Sequence, residues 1–258
     1  MKARQNRVSR ENNSMLAVWG SPSCGKTTIA AKIANYISGK GYDTALLLCD
    51  MDAPPLPLLV PMQELETEKS LGSILAAARV NENLILQNCI TIKKNKHISV
   101  IGMLKGENIF SYPKYTQVQA KEFLDGLRKL VDFVIIDCSS HLSDDILSTV
   151  SLMESDVVLR LINCDLKSIS YLSSQLPLLA DQKFKADKQL KVANDVKSIH
   201  SGENIDQVLG GVTFTIPHSD GVENQYLMGE LLKNTPVKRE TKEFRKVIEE
   251  ISEEVFDL

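Results

Sequence analysis

The sequence predicts an α/β fold in which a doubly wound, mostly parallel sheet carries helices on both faces. Three observations predict it. Short apolar runs alternate with helical patterns along the whole chain, as expected of βαβ units joined by right-handed crossovers. One run, Phe133-Val134-Ile135-Ile136, is apolar throughout, the pattern of a central strand buried on both faces. The composition is 43% hydrophobic but only 5% aromatic, so Ile, Leu, Val and Ala can fill a large core, and a disordered chain or a β-sandwich is disfavoured. A length of 258 residues leaves room for one large domain or two small ones.

The elements follow in order. Residues 15–19 form an apolar run that stops at Gly20, followed by a Gly/Pro/Ser turn and a helical pattern over 26–38. Gly39 and Gly41 end that helix, and a second strand over 44–49 runs into Asp50-Met51-Asp52. Residues 53–61 hold four of the nine prolines and are expected to be irregular. A helix over 70–78 takes Ser70 as its N-cap, and a strand over 98–103 opens onto a polar loop at 105–115. An amphipathic helix over 116–130 is expected to turn Val118, Phe123, Leu127 and Leu130 towards one face. The strand 133–136 ends in Asp137, and 145–153, 156–163 and 168–179 continue as helix, strand and helix. Weaker strands are expected over 189–193 and 211–216. The helix over 241–256 aligns Phe244, Val247, Ile248, Ile251 and Val255 on one stripe. Residues 15–258 are therefore expected to form one domain behind a flexible basic tail over 1–14.

Charge and cysteines narrow the function classes. A net charge of −3 does not advertise nucleic acid or an anionic membrane as the main partner. Cys24, Cys49, Cys89, Cys138 and Cys164 form no CxxC pair, so they read as reduced thiols of a cytoplasmic protein and not as a disulfide or zinc framework. No run of eighteen apolar residues predicts a membrane span, and the basic N-terminus has no apolar segment behind it.

The strongest motif is Gly20-Ser21-Pro22-Ser23-Cys24-Gly25-Lys26-Thr27, a complete G-x4-G-K-[ST] loop with a strand before it and a helix after it. In such a loop backbone N–H groups and the helix N-terminus cradle phosphates, the lysine meets the β and γ oxygens, and the Thr hydroxyl ligates Mg2+. ATP or ADP with Mg2+ is the cofactor these residues imply. Asp50 and Asp52 follow one predicted strand and Asp137 ends another. Carboxyl ends of parallel strands line the ligand crevice, so these acids can converge on a metal ion and an attacking water. Cys24, at a helix N-terminus, is a candidate low-pKa, redox-sensitive thiol or else a small filler. His141, after the second acidic strand, is weighed as a phosphate or subunit contact against a solvated loop residue.

On these motifs the sequence resembles the ParA/MinD superfamily of P-loop ATPases, in which α/β subunits dimerise face to face around two ATP molecules and position other structures in bacterial cells. The matching segments are SPSCGKTT, LLLCDMD, FVIIDCSS as the Walker B strand, and VTFTIPHSDGV as the adenine-side loop. The resemblance implies that Thr27 holds magnesium, Thr28 meets the α-phosphate, Asp50 and Asp137 form the outer magnesium shell, and Asp52 orients the attacking water. It also implies that Asn194 reads adenine, with Pro217 and Asp220 flanking the base. Most of the family carries K-G-G-x-G-K-T, whose first lysine reaches the partner's nucleotide; here Ser21 takes that place and Pro22 and Ser23 replace the glycines. A cross-subunit cation contributes orders of magnitude in phosphoryl transfer, so slow or partner-dependent hydrolysis is expected. Cys138-Ser139-Ser140-His141 likewise replaces the usual Pro and Gly after Walker B.

Among the branches lacking the lysine, AVWGSPSCGKTT and DAPPLPLLVP resemble the CpaE/TadZ-like group associated with type IV pilus or Tad secretion machinery. That resemblance implies an ATP-dependent homodimer and a protein partner in a pilus, secretion or positioning system. DNA partitioning would need a basic face, and the only dense terminal cluster is Lys2, Arg4, Arg7 and Arg10. Membrane attachment through a basic C-terminal helix is disfavoured by Glu243, Glu249, Glu250, Glu253, Glu254 and Asp257. A small-molecule P-loop enzyme and a non-hydrolysing scaffold that binds nucleotide for stability alone are the remaining alternatives.

Overall fold

The computed structural model describes residues 14–59, 69–200 and 210–258. The basic tail and part of the proline-rich loop therefore lie outside the described residues. The strands are β1 (Ser14–Gly20), β2 (Thr44–Leu48), β3 (Ile90–Ile92), β4 (Asn95–Ile101), β5 (Phe133–Asp137), β6 (Val157–Asn163), β7 (Gln189–Val196) and β8 (Phe214–Pro217). They form one sheet in the order β3-β4-β2-β5-β1-β6-β7-β8. Every neighbouring pair is parallel except the β3–β4 edge, so the doubly wound α/β expectation holds. Ser14 belongs to β1, not to the tail.

Strand alternation divides the core into two layers. Met15, Ala17 and Trp19 of β1 face a layer covered by α2 (Leu71–Leu75), α3 (Glu82–Asn88), α4 (Gln117–Leu130), α5 (Ile146–Glu154) and α6 (Leu166–Leu179). Leu16 and Val18 face the opposite layer, covered by α1 (Lys26–Gly39), α7 (Asp220–Leu227) and α8 (Lys242–Phe256). Burial on both faces is why β1, β2 and β5 read as continuous apolar runs. The C-terminal stripe behaves as expected, with Phe244, Ile248 and Ile251 buried and Val247 and Val255 packed at its margin.

Local differences have local causes. Helix α2 is a five-residue piece, although Ser70 caps it through the backbone N–H of Gly72 at 3.1 Å. Thr116 caps α4 in a capping box with Gln119, but Val118 is 66% exposed; Ala120, Phe123, Leu124 and Leu127 form the buried face and Leu130 sits at its edge. The short α3 is capped by Asn81, and α7 follows soon after β8, which ends at Pro217; the sequence pattern marked neither. Among the described residues no helix is long and apolar enough to cross a membrane.

Candidate functional site

At the carboxyl ends of the parallel strands the loops part to form a cleft of about 550 Å³. The phosphate loop lies at its floor. Gly20 leaves β1 against β6, where an added Cβ would stand 2.2 Å from the Leu161 carbonyl oxygen, and only glycine fits there. Ser23 and Gly25 both take left-handed backbone conformations, with φ of 61° and 87°. At Gly25 a Cβ would stand 2.5 Å from Asn194 Nδ2. Asn194 itself lies two residues before the end of β7 and donates to the Cys24 carbonyl at 2.8 Å, so it both lines the cleft and braces the loop.

Lys26 opens α1 and donates to the Ser21 carbonyl at 3.2 Å and to Ser140 Oγ at 2.6 Å. Thr27 Oγ1 donates to Asp137 Oδ2 at 2.6 Å. Asp137 is 2% exposed, and its other carboxylate oxygen, Oδ1, is buried with no hydrogen-bond partner in the described structure. Burial pushes its pKa up to about 6, against the opposing pull of the Thr27 hydroxyl and the Lys26 ammonium. Asp50 also lines the cleft and accepts the backbone N–H groups of Asp52 and Ala53 at 3.0 and 2.9 Å.

Lys26, Thr27, Thr28, Asp50, Asp137, Asn194 and Pro217 thus share one cleft with Ser23, Cys24 and Gly25. Asp52 is exposed and does not line it. Gly20, Ser21 and Pro22 shape the loop from outside the cleft wall, with Ser21 buried and Pro22 exposed. Asp220 stands behind the wall and holds His218 Nε2 at 2.8 Å, while Asp195 holds Nδ1 at 2.5 Å. These two carboxylates raise the His218 pKa. Of the two alternatives for Cys24 the structure agrees with the small filler, because it is 1% exposed and burial pushes its pKa up. His141 is exposed and outside the cleft. All five cysteines are free.

Several cleft residues carry no motif signal. Glu223 and Tyr226 come from α7 and Phe244 from α8, whereas His218 lies in the adenine-side segment VTFTIPHSDGV. The family model for the AAA domain matches residues 22–192, about two thirds of the chain, including Lys26, Thr27, Thr28, Asp50 and Asp137. The chain belongs to the AAA domain family. Its fold is that of the ParA and MinD ATPases. The ParA family ATPase of Chlorobium tepidum superposes with a TM-score of 0.76 at 16% identity, covering 93% of this chain and 98% of the other. MinD from Pyrococcus horikoshii, complexed with Mg-ADP, gives 0.72 at 17% identity over 92% and 95%. A plasmid partition protein of Borrelia burgdorferi bound to AMPPNP gives 0.71 at 16% identity over 93% and 99%. No match is found among curated proteins. Two of the residues that depart from the expected motifs are Ser21, whose hydroxyl donates to Ser168 Oγ on α6 at 2.9 Å, and Ser140, the partner of Lys26.

Proposed function

We propose that this chain is an ATP-binding ATPase of the ParA/MinD kind, a nucleotide-dependent dimerisation switch that positions or regulates a cellular assembly in the cytoplasm. The observation that carries the reading is the phosphate loop whose Lys26 and Thr27 stand against a buried Asp137 with one unpartnered oxygen. The solved relatives with Mg-ADP and AMPPNP support nucleotide as the ligand.

The residues present fit a magnesium ion. An oxygen-rich set of Thr27, Asp50 and Asp137 suits a hard cation, and the orphaned Asp137 oxygen is a group that such an ion would satisfy. When bound, magnesium supplies charge neutralisation at the phosphate oxygens. The chain's own residues do the rest. Backbone N–H groups from Ser23 to Thr28 hold the phosphates at the N-terminus of α1, Lys26 meets the β and γ oxygens, and Thr28 meets the α-phosphate. Asp52, exposed and outside the cleft, would have to move inward to take the attacking water that the resemblance gives it, and the base rests between Asn194, Pro217 and the segment that runs into Asp220.

With Ser21 in place of the lysine that crosses the dimer, hydrolysis to ADP and phosphate is slow or depends on a protein partner. The CpaE/TadZ-like resemblance points to a pilus or Tad secretion system as that partner's setting. Fluorescent-nucleotide titration and light scattering test the reading together. Wild type is expected to bind ATP and to double in mass with ATP but not ADP, and Lys26→Ala to lose at least tenfold in affinity, about the 1.4 kcal/mol equivalent of a single charged contact. Equal binding by Lys26→Ala refutes it.

A further inference from the structure

Lys26 is the only Lys or Arg among the described residues that line the cleft, against the acids Asp50, Asp137, Asp195 and Glu223. His218, the other basic group there, is already held by two carboxylates. The placing of one ammonium therefore decides how the γ-phosphate charge is met.

That placing is set by the loop after β5. Ser140 Oγ donates its proton to the Gly20 carbonyl at 2.9 Å, which leaves a lone pair for Lys26 Nζ at 2.6 Å. Because the proton is committed, Ser140 acts on the phosphate only through the lysine. Ser140 is 7% exposed, and its own carbonyl accepts the hydroxyl proton of Tyr171 from α6. Tyr171 in turn packs against Trp19 of β1, ring centroids 6.0 Å apart. With Ser21 and Ser140 each occupying one Lys26 proton, the third remains free to meet phosphate without breaking either bond.

We propose that Ser140, anchored by Tyr171, is a positioning residue that fixes Lys26 for the γ-phosphate and so sets the preference for ATP over ADP. The inference rests on the nucleotide reading above.

The test measures ATP and ADP affinity separately, with fluorescent analogues of each, for wild type, Ser140→Ala, Ser140→Thr and Tyr171→Phe. A hydrogen bond to a charged group is worth enough to expect roughly a tenfold loss of ATP affinity in Ser140→Ala, with ADP affinity changed less than about threefold. Ser140→Thr keeps the hydroxyl and is expected to restore the ratio. Tyr171→Phe removes one hydroxyl away from the loop and is expected to shift the ratio in the same direction by a smaller factor. A merely structural role would weaken ATP and ADP alike, and that result, or an unchanged ratio in both Ser140→Ala and Tyr171→Phe, overturns the inference alone. Wild type that binds neither nucleotide overturns the underlying reading and this inference with it.

Discussion

Lys32 lies on α1, one turn and a half beyond Lys26, yet it is 3% exposed. Its ammonium donates to Gln225 Oε1 on α7 at 2.5 Å and to the Lys233 carbonyl at 2.9 Å. Among the described residues no carboxylate pairs with it, and burial pulls its pKa from 10.5 down to about 7. Both bonds need only N–H donors, so the neutral amine can keep them. The sign follows from linkage: between the folded and unfolded pKa values the unfolded chain holds the proton that the folded chain has released, so stability rises with pH. At about 1.4 kcal/mol per unit, stability gains roughly 2 kcal/mol between pH 7 and 9 and levels off above the unfolded pKa. Urea unfolding at constant ionic strength reads this directly. Lys32→Met keeps the volume and removes the titration, so its stability is expected to stay flat over the same interval relative to wild type. Parallel pH profiles for the two proteins would refute the reasoning.

Two further outcomes are expected. Gly25→Ala forces a Cβ onto a left-handed backbone and against Asn194 Nδ2, a strain on the order of 1–2 kcal/mol; nucleotide affinity should fall more than tenfold while thermal unfolding shows a drop of only a few degrees. Asp137 must be ionised to hold a metal, so Mg-nucleotide affinity should fall as pH drops through about 6, as followed by titration calorimetry, and Asp137→Asn should bind weakly at every pH. For the empty protein the sign is opposite, because a raised carboxyl pKa makes this group favour the fold as pH falls from 6 towards 4.

Much of the sheet was legible because β1, β2 and β5 bury both faces and need unbroken apolar runs. The edges were not. β3 is three residues long, antiparallel, and has a register shift between Thr91 and Ile92, so no periodicity announces it. In helix α4 the sequence pattern places Phe123 and Leu127 inward correctly but Val118 wrongly, and Ala120 and Leu124 complete the buried face. The phosphate loop was readable as a contiguous motif, because its chemistry is made by neighbouring backbone groups. Its supports were not readable, because Ser21 finds Ser168 at a separation of 147 residues and Lys26 finds Ser140 at 114. Asn194 came from resemblance, and the structure adds that it braces Cys24.

Ser21 and Ser140 converge on one helix. Ser21 is tied to Ser168 and Ser140 to Tyr171, both on α6, so the phosphate loop and the loop after β5 are held from the same side of the sheet. Ser168 is itself fixed by Asp165, the N-cap of α6, through its backbone N–H at 2.8 Å. A side chain at position 21 therefore points into the protein, 1% exposed, and not towards a second subunit. Among the described cleft residues Lys26 is the one lysine or arginine against four acids, and a nucleotide adds several more negative charges at low local dielectric. Close approach of phosphate to Asp50 and Asp137 is unfavourable without a cation between them. It follows that nucleotide affinity in this chain should depend more steeply on divalent cation than in a relative with a second lysine over the same phosphates.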